Sequence, residues 1–134
     1  MFVAAEAPVA FDNGTDLQWG GVGQYAIPLD PTSFTIVGGQ ITVLRAGLYE
    51  LIYGFDAQQG QQGDPSPEQI VTVWTLDAVQ LPSTHSDWDF RAVATLVQIA
   101  AGQVLAFRNV GAGVILHNND TLQAFVTLKR IASP

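Results

Sequence analysis

The residues able to do chemistry are few. His85, Asp87 and Asp89 share one short polar stretch. An imidazole nitrogen and two carboxylates at that spacing could ligate a cation, but calcium takes six or more oxygens and three residues of one loop fall short. Asp87 and Asp89 could also work as paired carboxylates in proton transfer. Nothing beside them reads as a substrate cleft, and solvated loop acids are common. The chain has two His and no Cys in 134 residues, so most nucleophile and acid–base schemes lack a member. A Cys-based zinc site is excluded. No Gly-x-Ser-x-Gly, phosphate-loop or His-Glu-x-x-His pattern occurs. The expectation is a protein that is not an enzyme and carries no metal or cofactor.

Two tryptophans could serve recognition. Trp19 adjoins Gly20, and Trp88 stands between Asp87 and Asp89, all in predicted loops. An exposed indole flanked by acids or amides can stack on a sugar ring; it can equally plug the end of a sandwich. Trp19, Trp88, Asp87 and Asp89 are therefore candidate ligand-contact positions. Trp74 lies mid-strand and is expected in the core.

Charge narrows the partners. Only 13% of residues are charged, against about a quarter in an average domain. The solvent-facing positions must carry Gln, Thr, Asn, Ser and Gly instead, which suits wet protein–protein contact. The net charge is −7 and the basic residues are scattered, so nucleic acid is not an expected partner. Met1 to Phe11 lacks a basic start, and Glu6 and Pro8 interrupt its apolar run, so it does not read as a signal peptide. No apolar window approaches the roughly 20 residues of a membrane-spanning helix.

Strands must position whatever function there is. Helical periodicity is nearly missing, while short apolar runs recur between Gly, Pro, Asn and Asp. Strands are predicted near 8–11, 24–27, 33–37, 40–44, 48–57, 70–77, 91–99, 103–110, 114–116 and 121–131. Asn13-Gly14, Gly38-Gly39, Ala46-Gly47 and Ala101-Gly102 read as turns. The segment 78–89 is expected as a loop, 58–69 as an exposed Gln/Gly/Pro-rich loop, and 117–120 as a polar turn. The strand from Leu48 is apolar on both faces. Leu48, Ile52 and Gly54 point one way, and Tyr49, Leu51, Tyr53 and Phe55 the other. One row belongs to the domain's own core; the other needs a second layer or another subunit. A single domain, 1–134, is expected, with 1–25 less regular and a possible anchor.

The order of these segments resembles the jelly roll of the tumour-necrosis-factor and complement-globular-head superfamily. Ile41 to Tyr53, with its Ala-Gly-Leu-Tyr step, is similar to that superfamily's strand–turn–strand signature. Val73 to Val79, Ala94 to Phe107 and Gln123 to Lys129 resemble its later hairpins and final strand. The heads of phage structural proteins and of bacterial spore-surface glycoproteins are the variants it most resembles. The resemblance implies an all-β, two-sheet antiparallel jelly roll of about ten strands, assembled as a homotrimer. In such trimers the side chains of the long strands pack near the three-fold axis, and Tyr49, Tyr53 and Phe125 are the matching positions here. With no collagen stalk and no secretion signal in the sequence, a virion component made in the host cytoplasm is expected. A capsid decoration or head-fibre protein, binding a major capsid or fibre protein multivalently, heads the readings. A tail-fibre tip that binds a host glycan and a bacterial surface or spore-coat head are the alternatives.

Overall fold

Alternating apolar residues, broken every few positions by turn formers, produce short paired strands. A computed structural model describes residues 2–3, 9–19, 30–55, 69–86, 90–116 and 124–134. In chain order its strands are β1 (Phe2–Val3), β2 (Val9–Phe11), β3 (Phe34–Val37), β4 (Gln40–Val43), β5 (Gly47–Phe55), β6 (Thr72–Leu76), β7 (Val79–Gln80), β8 (Phe90–Ile99), β9 (Val104–Asn109), β10 (Val114–Leu116) and β11 (Ala124–Ala132). They form a four-stranded sheet in the order β1-β11-β5-β8, a five-stranded sheet in the order β3-β4-β9-β6-β7, and a ribbon of β10 and β2. All pairings between these strands are antiparallel. The architecture is an antiparallel two-sheet β-sandwich.

The hairpin turns follow their residues. Gly14, Gly38 and Gly102 take positive φ, as expected for turn glycines. The β6–β7 turn is built less comfortably. Asp77 and Ala78 both have positive φ, the requirement of the tight hairpin turn whose twist matches the strands. Ala has no side-chain compensation there, so the position is strained. Asp77 offsets this by clamping β9: its carboxylate accepts the Val104 N–H at 2.9 Å, and its own N–H donates to the Val104 carbonyl at 2.8 Å.

Between the sheets lies an aromatic core. Tyr49, Leu51, Tyr53 and Phe55 of β5 meet Trp74, Leu105 and Phe107 from the opposite sheet, all essentially buried. Trp74 packs against Phe107 at 5.1 Å and edge-on to Tyr53 at 5.7 Å between ring centroids. Rings of this size suit a gap of about 10 Å between packed sheets.

Of the segment expected to be less regular, β1 extends the four-stranded sheet and Phe11, Leu17 and Trp19 belong to the core. The Leu17 N–H donates to the Phe107 carbonyl at 2.8 Å, and the Asn109 N–H to Thr15 at 3.1 Å. Asn109 locks this arrangement. Fully buried, its amide donates to the carbonyls of Phe11 and Ala112, both at 2.8 Å, and its oxygen accepts the Gly111 N–H at 2.9 Å. The predicted 78–89 loop carries β7 and a single 3-10 turn at Pro82–Thr84. Elements this short leave no periodic signal. The expected strand at 24–27 and the 117–120 turn lie outside the described residues, as does most of the 58–69 loop.

Candidate assembly surface

Register decides which side chains of the four-stranded sheet face out. Glu50 of β5 stands opposite Leu96 of β8 and Lys129 of β11. Ile52 is flanked in the same way by Ala94 and Thr127, Leu48 by Gln98 and Ala132, and Gly54 is paired with Phe125. Directly opposed residues in a sheet share a face. These rows therefore make up one outer surface, turned away from the core row of Tyr49, Leu51, Tyr53 and Phe55.

That surface is unusually apolar for one that water can reach. Leu48, Ile52 and Phe125 are half-buried, Leu96 is 58% exposed, and Ile131, at the β11 bulge, is 45% exposed. Among the described residues no strand packs across it. Glu50 and Lys129 on it are register partners of opposite sign, so these two charges offset each other. Among the described strands β8 is the outermost of this sheet, and from Ala92 to Gln98 it has no charge, Pro or Gly. Exposed strand edges are normally guarded by such residues.

The structure corrects the sequence reading at several positions. Tyr49 and Tyr53, expected near a three-fold axis, point into the core of their own chain and are 0% and 2% exposed. The two rows of β5 were separable by alternation, but which row faces inward depends on the opposing sheet. The bulky aromatic row fills the gap between sheets, and the smaller row of Leu48, Ile52 and Gly54 is left outside. Phe125 lies in that outer row. The Tyr49 hydroxyl donates to the Arg45 carbonyl. The Tyr53 hydroxyl lies 3.4 Å from the Thr84 carbonyl, and burial pushes its pKa up.

Of the two alternatives for Trp19, ligand contact or packing, the structure shows packing. Trp19 is 3% exposed and stacked on Trp74, with centroids 6.1 Å apart and planes 7° from parallel, so it offers no face to a sugar. Its loop is drawn inward because the Trp19 N–H bonds to the Gly38 carbonyl at 3.0 Å, across the β3–β4 turn. Gly39 permits that approach: a Cβ there would stand 2.7 Å from the Leu17 carbonyl oxygen. Trp88, Asp87 and Asp89 lie outside the described residues. Among the described residues no three His, Asp or Glu side chains gather as a metal site.

The outer sheet surface is what sequence reasoning located poorly. Its signal was present in the doubly apolar β5 and in the uncharged run of β8, read together.

Comparisons with known proteins bear on the fold. No protein-family model matches the chain, and no curated protein matches it. Solved structures do. The crystal structure of rabbit GITRL, a tumour-necrosis-factor-family ligand, is similar with a TM-score of 0.54 and 14% identity, covering 78% of this chain and 81% of that one. The crystal structure of pika GITRL is similar with a TM-score of 0.55 and 10% identity, covering 96% of this chain and 99% of that one. At these identities the likeness concerns architecture, and the chain has the tumour-necrosis-factor-like jelly-roll fold.

Proposed function

We propose that this chain is a non-enzymatic, self-assembling head: a homotrimer that serves as a structural protein of a virion, as a capsid decoration or head fibre. The observation that carries the assembly is the outer face of the four-stranded sheet. Leu48, Ile52, Leu96 and Phe125 line it, and Glu50 and Lys129 on it offset each other. Covering such a face removes apolar area from water at about 25 cal/mol per Å². Glu50 and Lys129 can enter the contact as neighbours of opposite sign, which softens the cost of desolvating them. Three is the copy number that the resemblance to the superfamily implies.

The attachment mechanism is multivalency. Three equivalent copies that engage a repeating shell or fibre together bind far more tightly than one copy alone. The sparse charge of the sequence suits such wet contacts. Light scattering after gel filtration tests the first half. The expected mass is about three times the 14.3 kDa of the chain. A stable single subunit at micromolar concentration refutes the assembly. Cosedimentation with intact particles that lack the protein tests the second half. A trimer that stays in the supernatant at every concentration refutes the virion role.

A further inference from the structure

The opposite side of the molecule carries a different kind of site. On the solvent face of the five-stranded sheet, Thr75 of β6 and Ala106 of β9 are register partners. They are 1% and 3% exposed and form the floor of a half-open cavity of about 240 Å³. Small side chains at the centre of this face create the trough; the neighbouring rows close its ends. One end holds Arg108, whose Nε donates to the Asp16 carboxylate at 2.9 Å. The other holds Val104 and the strained Asp77-Ala78 turn, and Gln40 of β4 stands at the side.

From these observations we infer that the trough is a binding site for a single neutral sugar residue. The Thr75 hydroxyl is the central reason. The residue forms the cavity floor, and its hydroxyl makes no hydrogen bond among the described residues and stays accessible from the trough. A free hydroxyl at the centre of a concave polar lining can both give a hydrogen bond to a ligand and take one from it. Around it, donors and acceptors alternate. The terminal guanidinium nitrogens of Arg108 and the Gln40 amide can donate. The second oxygen of Asp16 can accept, as can the spare lone pairs of Asp77, whose oxygens already take the Val104 N–H and the Gln103 amide. A sugar hydroxyl both gives and takes, which this lining matches.

Other ligand classes fit less well. Two carboxylates against one guanidinium leave the lining with a net negative charge, which disfavours anions. Both carboxylates already hold protein donors and fall short of the ligand count that a hard cation needs. The cavity is smaller than the 300 Å³ or more typical of drug-sized ligands. This site lies on the far side of the chain from the proposed assembly face and does not depend on that reading.

Ligand-observed saturation-transfer NMR tests it, with the methyl glycosides of glucose, galactose, mannose and N-acetylglucosamine as probes on the parent protein. At least one should receive saturation. Thr75→Val, which keeps the shape and removes the hydroxyl, should weaken that sugar about fivefold, the equivalent of one lost hydrogen bond. Gln40→Ala, at an exposed position, should weaken it in the same direction. Silence from all four probes overturns the inference, and so does transfer that both variants leave unchanged. Neither variant should alter the mass in solution, so failure here is distinguishable from failure of the assembly reading.

Discussion

Replacing Leu96 with Lys separates assembly from folding. In a single chain the change is mild. Leu96 is 58% exposed, and its register partner is Glu50, so a lysine there gains an opposite-charge cross-strand neighbour. Such pairs contribute about 0.2–1 kcal/mol, enough to offset the small apolar burial that is lost. In an assembly that covers this face the balance reverses. Full burial of a leucine is worth about 1.5–3 kcal/mol, and more than half of its surface is still open in one chain. The lost contact is therefore on the order of 1–2 kcal/mol per copy. Desolvating an ammonium adds several kcal/mol when its partner is imperfect. Even about 1.4 kcal/mol per copy multiplies over three copies to about a thousandfold. Leu96→Lys should thus run as single subunits at micromolar concentration in light scattering, with thermal unfolding still cooperative. Val37→Lys, at a 78% exposed position on the other sheet, should keep the parent mass. A Leu96→Lys protein with the parent's oligomeric mass refutes the reasoning, because the face would then not be buried between copies.

Three further predictions concern the fold that presents these surfaces. Asn109→Leu leaves the Phe11 and Ala112 carbonyls without their side-chain partner, and should lower unfolding stability by about 2–4 kcal/mol in a denaturant titration. Gly111→Ala would set a Cβ 2.5 Å from both the Gln69 carbonyl oxygen and the Val71 nitrogen, so about 1–3 kcal/mol should be lost by the same measurement. Burial raises the Tyr53 pKa above its ordinary value of 10.0, so the folded chain holds this proton longer than the unfolded chain does. The stability linked to it is complete below pH 10 and is lost as pH rises through the folded-state value. Ultraviolet titration should show a late tyrosine ionisation that the Tyr53→Phe variant loses.

Much of this was legible from residue order. Alternation and turn formers identified β3, β4, β5, β6, β8, β9, β10 and β11 to within a few residues, because strand period and turn chemistry are local properties. The two rows of β5 were also separable in advance, since their separation needs only the period of two. Which row faces the core was not, because that depends on the volume offered by the opposing sheet, and Tyr49 and Tyr53 therefore moved from an expected contact to the interior. Which of its two alternatives Trp19 takes was settled by a related cause: its backbone N–H bonds to the Gly38 carbonyl of the β3–β4 turn, a contact between segments remote in sequence. The Thr75–Ala106 trough was invisible for the same cause. Its floor joins β6 to β9, its walls come from Asp16, Gln40 and Asp77, and no local pattern brings these together. Sequence alone thus determined strands, turns and a surplus of apolar faces. Tertiary pairing decided which of those faces stays open to a partner.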